Sequence, residues 1–194
     1  KLAHEIGQGV MLDNGAFSVW RRGIVADWPG YYEFCDQWLE RPTTWAVIPD
    51  VIVGDEAQQD ELLAAWPFGD RGAPVWHMHE SLDRLRRLVD EWPVVCVGSS
   101  AEYARLLTDA WCRRIDAAWD AITVSHRRTP WLHMLRGMQI VGERWPFASV
   151  DSTDIAQNHH LPHKSARKMA DRWDAAQCPA KWLERECSTI AMAI

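Results

Sequence analysis

Short apolar runs alternate with amphipathic stretches along most of this chain, and the alternation predicts strands and helices in turn. Val10-Met11-Leu12 reads as a buried strand that delivers Asp13 into a turn at Asn14-Gly15. Tyr31 to Leu39 fits a helix. The run from Trp45 to Val53 is apolar but contains Pro49, which lacks the N–H a ladder needs, so the second strand should stop there with Asp50 at its end. Asp55 to Trp66 reads as a polar-faced helix, and Ala73 to His79 as a third strand with His77 and His79 on one face at period two. Ser81 then caps a helix whose Leu82, Leu85, Leu88, Val89 and Trp92 form one stripe. Pro93 to Ser100 predicts a fourth strand ending in the small-residue turn Gly98-Ser99-Ser100. Asp109 to Ile122 places Trp111, Ile115, Ala118, Trp119 and Ile122 on one helical face. Beyond a loop holding His126-Arg127-Arg128, a fifth strand is expected at Trp131–Met138, a sixth at Pro146–Thr153, and a last amphipathic helix from Ser165.

Continuously apolar strands alternating with helices argue for an α/β fold, a parallel sheet covered by helices. Six strands leave a closed eight-stranded barrel two short. The first strand lies almost at the start of the sequence, so a preceding strand would be absent or rewritten; an open doubly wound sheet is the alternative.

Composition narrows the class. At 194 residues, 47% hydrophobic and 25% charged, the sequence suits one domain, 1–194, with a sizeable core. Its 13 Trp supply bulky packing or flat stacking surfaces. A net charge of −6 argues against a strongly basic nucleic-acid clamp, because phosphate binding relies on Lys and Arg to release counterions. A local basic rim is still open, from Arg21-Arg22, Arg84 with Arg86-Arg87, Arg113-Arg114, the His126 to Arg128 loop, or the segment from His163 to Lys168, although such pairs are more often a solvated face. Five widely spaced cysteines without a Cys-x-x-Cys pair suggest reduced thiols in a cytoplasmic setting. No signal-peptide pattern is seen, and no apolar run approaches the roughly 20 residues that span a bilayer, so a soluble protein with no membrane partner is expected.

The candidate chemistry lies at strand ends. In a parallel arrangement Asp13, Asp50 and Asp151 all point into the crevice at the carboxyl edge of the sheet, where α/β folds bind ligands. Any one of them could be a turn cap, with its side chain bonding its own backbone. Together they favour a functional pocket. Gly98 and Ser99 would let backbone amides approach a ligand, or would merely cap the next helix. No set of residues has metal-ligand spacing: Cys178 and Cys187 are too spread from His159, His160 and His163.

The order of these motifs resembles the tRNA-guanine transglycosylase superfamily, most closely its 7-deazaguanine DNA-modification branch in phages and bacteria, over nearly the whole chain. Leu12-Asp13-Asn14-Gly15-Ala16-Phe17-Ser18 is similar to the family's Asp-Ser-Gly-Ala-Phe motif, with Asn14 in place of Ser. Ile48-Pro49-Asp50-Val51 resembles the base-recognising segment, and Val75 to Glu80 the strand offering polar side chains to the base, with His where the tRNA enzymes carry Gln-Gly. Val97-Gly98-Ser99 resembles the turn whose amides meet the base, His133 to Gly137 the strand before the nucleophile, and Val150-Asp151-Ser152-Thr153 the nucleophile segment. The structural zinc motif of the tRNA enzymes, Cys-x-Cys-x-x-Cys with a His, has no counterpart.

The resemblance implies a TIM-like (β/α) barrel, incomplete or shortened at its N-terminus, that exchanges guanine in a nucleic acid, DNA ahead of tRNA, for a 7-deazaguanine. It implies Asp151 as nucleophile and Asp13 as proton shuttle. Asp50, Phe17, His77, His79, Gly98, Ser99 and Gly137 would contact the base; no cofactor is expected and, because the zinc motif has no counterpart here, no metal. A carboxylate suits this chemistry because it can stabilise and capture an oxocarbenium-like C1′, as in retaining glycoside hydrolysis. The implied setting is the cytoplasm of a bacterium or of a phage-infected host, with a partner protein for DNA docking and a homodimer as further options. A non-catalytic relative serving as a binding or scaffold subunit, and an N-glycosidic hydrolase, are the rival readings.

Overall fold

The structure, a computed structural model, describes residues 2–7, 9–123 and 130–180. The expected basic loop at His126–Arg128 lies outside the described residues, as does Cys187. The fold is α/β. Among the described residues seven strands occur in chain order: β1 (Val10–Leu12), β2 (Thr44–Val47), β3 (Gly72–Ala73), β4 (Val75–His77), β5 (Val94–Gly98), β6 (Trp131–Met134) and β7 (Ser149–Val150). They form two parallel sheets, β1-β2-β3 and β4-β5-β6-β7. Among the described residues they do not close into a barrel.

The predicted third strand is divided. Pro74 interrupts it, so Gly72–Ala73 pairs with β2 while Val75–His77 pairs with β5, and the proline carbonyl accepts the Cys96 amide at 2.8 Å. Pro74 has no N–H for a ladder, which is why one extended segment serves two sheets. The strand also ends at His77 rather than His79, because the Glu80 amide turns back to the His77 carbonyl at 2.8 Å.

Helices α1 (Leu2–Ile6), α2 (Ala16–Arg22), α3 (Trp28–Trp38), α4 (Glu56–Ala64), α5 (Leu82–Glu91), α6 (Asp109–Thr123), α7 (Asp154–Asn158) and α8 (Ala166–Asp174) intervene or follow. Several starts are encoded locally. Asp55 accepts the Gln58 amide and Gln58 accepts the Asp55 amide, a reciprocal capping box, while Ser81 accepts the Arg84 amide and Ser165 the Lys168 amide.

Strand β5 is buried along its whole length, and its residues divide by parity. Val95 and Val97 pack with Leu85, Leu88, Trp111, Ile115 and Ile122 of α5 and α6, whereas Val94 and Cys96 face a second cluster with Val47, Ala73 and Val75. Strand period two therefore sends alternate side chains to two apolar layers. Burying a leucine fully, as for Leu85 and Leu88, contributes roughly 1.5–3 kcal/mol each. A third cluster joins Leu12, Ala46 and Ile48 to Tyr31, Cys35 and Leu39 on and just after α3. On the side away from these helices, Trp45 of β2 meets His133 of β6 edge to face at 5.4 Å. The two sheets thus curve toward one another, and the carboxyl ends of their strands border one concave mouth.

Candidate functional site

A cleft of about 640 Å³ opens at that mouth, in the size range of small-molecule sites. Asp13, Asn14, Phe17, Asp50, His77, Gly98, Ser99, Arg136 and Asp151 all line it. All but Phe17, which lies in the first turn of α2, end or closely follow a strand, so parallel pairing brings residues distant in sequence to one edge. Their convergence is also felt from below. The Cys96 thiol is pushed well above its ordinary value, first by burial and then by the Asp50, Asp151 and Asp13 carboxylates.

Asp50 is the most tightly held of the three acids, only 6% exposed. Asn14 Nδ2 donates to its Oδ1 at 2.7 Å and to the Ile48 carbonyl at 2.8 Å, while Asn14 Oδ1 accepts the Ala16 amide at 2.9 Å. His77 Nε2 lies 2.9 Å from Asp50 Oδ2; a carboxylate only accepts, so this nitrogen carries the proton. Gln59 fixes the segment behind Asp50 by bonding both the amide and the carbonyl of Val51, at 3.1 and 2.6 Å. Each Asp50 oxygen thus has one hydrogen bond within the protein and the capacity to accept another.

His77 is held in turn. Its amide donates to Glu80 Oε2 at 3.0 Å, and the same oxygen accepts Arg84 Nε at 3.0 Å. Burial raises the Glu80 carboxyl, with Arg84 and His77 opposing the rise. Gly98 permits the approach of this imidazole, since a Cβ there would stand 2.9 Å from His77 Nδ1. The Ser99 hydroxyl is engaged inward, accepting Trp111 Nε1 at 2.9 Å.

Asp13 ends β1, and Gly15 follows with φ 71° as the N-cap of α2, a left-handed conformation that favours glycine. The Asp13 side chain keeps contact with solvent at the lip of the cleft, but crowding by the surrounding protein raises its pKa. The neighbouring Asp151 and Asp50 carboxylates push the same way, against the amides of Gly15 and Asn14.

Asp151 follows β7. Its Oδ1 accepts the Arg136 amide at 2.7 Å and lies 3.3 Å from His133 Nε2, and His133 Nδ1 is 2.7 Å from the Ser149 hydroxyl. Arg136 adopts φ 57°, uncommon for a residue with a side chain, which aims its amide at the carboxylate. Its guanidinium stands over the Phe17 ring, Cζ 4.0 Å from the centroid.

Two of the anticipated residues point elsewhere. His79 bonds Ser100 Oγ at 2.7 Å and the Gly54 carbonyl at 3.1 Å, and meets the site only through its stack on His77, with ring centroids 5.7 Å apart. Gly137 packs on Met134, whose Cγ would lie 2.5 Å from an added Cβ, and does not line the cleft. Sequence reasoning in turn passed over three residues. In the sequence Asn14 reads as a turn residue and as a departure from a serine motif, and His133 and Arg136 only as parts of a strand segment. The motif position of Asn14 was a usable signal; the other two had none.

Among the described residues, no three His, Cys, Asp or Glu side chains are grouped to hold a metal ion, and no helix is long and apolar enough to cross a membrane. Compared with models of known protein families, with curated proteins and with solved structures, the chain matches none.

Proposed function

We propose that this protein is a base-exchange transglycosylase that replaces guanine in a nucleic acid, DNA ahead of tRNA, with a 7-deazaguanine. The observation that carries the reading is the convergence of Asp13, Asp50 and Asp151 with Phe17 in one cleft. The motif order adds the family resemblance, and on that basis the curved parallel sheets are read as consecutive strands of an incomplete (β/α) barrel.

The residues divide the work by their surroundings. Both bonds to Asp151 fall on Oδ1, so Oδ2 is the oxygen that attacks C1′. As the new C–O bond forms, the glycosidic C–N bond breaks and its electron pair passes to N9 of the departing guanine. Asp13, with its raised pKa, supplies the proton that neutralises that nitrogen. For the return step the Asp13 carboxylate takes the proton from N9 of the incoming base. That nitrogen attacks C1′, and Asp151 is released as a carboxylate. Asp50, held by Asn14 and His77, accepts from the N1–H and exocyclic amine of the base, while Phe17 offers a stacking face.

In duplex DNA the target nucleotide has to leave the stack first, and a partner protein or a second copy of the chain could assist. Arg21 and Arg22 line the same cleft as the acids and offer cations to the phosphates of such a strand.

Labelled guanine incubated with the protein and, separately, with DNA and with tRNA tests the reading. Incorporation into the polymer is expected. Release of free guanine without incorporation would make the protein a hydrolase, and neither outcome with either polymer would refute catalysis and leave a binding subunit.

A further inference from the structure

A second cleft, of about 650 Å³, adjoins the first and shares Ser99, Leu135 and Arg136 with it. Its remaining wall includes Arg105, Thr108 and Gln139, and among the described residues no carboxylate lines it. In a chain of net charge −6, a cleft lined by Arg105 and by Arg136, whose guanidinium lies at present over Phe17 in the first cleft, favours an anion. Other arginines are neutralised nearby: Arg84 and Arg87 by Asp60, Arg86 by Asp83, and Arg144 by Asp116.

Arg136 belongs to both clefts, and its side chain leans into the first. A guanidinium is flat, and at 4.0 Å above Phe17 it fills the layer that a stacked base would need. Its only other described bond, to the Ser99 carbonyl at 3.4 Å, is long. The main chain is anchored separately, through the amide bond to Asp151, so the side chain can leave Phe17 without disturbing the nucleophile. Desolvation in its present place lowers the Arg136 pKa, with Asp151 opposing, which is consistent with a cation held where little solvates it.

We propose that the second cleft is a phosphodiester subsite and that Arg136 couples it to the base slot. In the free protein the guanidinium plugs the slot above Phe17. A backbone phosphate between Arg105 and Arg136 draws the guanidinium into the second cleft and opens the slot. Without an anion the move is opposed, because it would bring Arg136 toward Arg105. Base binding therefore follows polymer binding. This inference rests on the transglycosylase reading and adds an order of binding and a phosphate-contacting pair to it.

Calorimetric titration with 7-cyano-7-deazaguanine tests the coupling, with and without a short single-stranded oligothymidylate that supplies phosphates but no guanine. For the wild type, the oligonucleotide should raise base affinity about three- to ten-fold, the worth of releasing one such stacked contact. Arg136→Ala should bind the base more tightly by a similar factor with no oligonucleotide, and should no longer respond to it. Arg105→Ala should retain the weak basal affinity and lose the response. If the wild type binds the base but Arg136→Ala binds it no more tightly, the plug is refuted while the transglycosylase reading stands. Base binding by neither protein, with or without oligonucleotide, would overturn both.

Discussion

Replacing Asn14 by Asp is a nearly isosteric change with a large expected effect. In the wild type, one amide nitrogen donates to Asp50 Oδ1 at 2.7 Å and to the Ile48 carbonyl at 2.8 Å. A carboxylate there has no donor for either and places a second negative charge beside a buried one. At an effective dielectric of about 20, two unit charges 2.7 Å apart repel by roughly 6 kcal/mol. The pair relieves part of this by moving apart and by holding a proton. The destabilisation at pH 8 should therefore be about 3–6 kcal/mol, falling as the pH drops by up to ~1.4 kcal/mol per unit over the range in which the folded pair takes up its proton. The sign follows from a folded-state pKa raised above the unfolded value: the stability is present at low pH and lost as pH rises through the folded pKa. Asn14→Ala, which removes the bonds without adding charge, should cost roughly 1–3 kcal/mol with little pH dependence. Urea unfolding of the three proteins at pH 5 and pH 8 measures both quantities. Equal losses for the two variants at pH 8, with no change at pH 5, would refute the placement of the Asn14 amide against Asp50.

Other substitutions separate stability from chemistry. Asp50→Ala should abolish measurable binding of 7-cyano-7-deazaguanine and, by stranding the Asn14 and His77 donors, also lower stability by about 2–4 kcal/mol; calorimetry and urea unfolding report the two effects. Asp151→Asn retains an oxygen for the Arg136 amide, so its melting temperature should change little while base exchange falls by several orders of magnitude, with no covalent sugar adduct trapped. Asp13→Asn should lose exchange yet be more stable than the wild type at pH 8, because the raised Asp13 pKa penalises its ionised form in the fold; thermal unfolding across pH should show the advantage disappearing below the unfolded aspartate value of about 3.9.

How much of this was readable in the sequence differs between element and site. The start of β1 at Val10 and the helices capped by Asp55, Ser81 and Ser165 were legible, because apolar runs and capping side chains act over a few residues. Helix α2 was not. Ala16–Arg22 alternates too little to mark a buried stripe, and Trp20 is left 48% exposed beside the cleft. The gathering of Asp13, Asp50 and Asp151 was also legible, since a parallel sheet brings all strand ends to one edge. Their exposures were less so: Asp50 was expected simply to end a strand and instead is buried as the acceptor in a polar network.

Sequence by itself therefore determined the α/β alternation and the edge at which the acids meet. Only the tertiary structure decided which side chains serve them. Asn14 meets Asp50 across 36 residues, and His133 meets Asp151 across 18. Arg136 reaches Phe17 from the far side of the cleft, while His79, one turn beyond β4, is drawn away to Ser100 and Gly54. The physical reason is that periodicity and capping are local preferences of the backbone. The direction of a side chain beyond a strand end is set by the loop that follows, and that loop takes its course from the packing of segments distant in the chain.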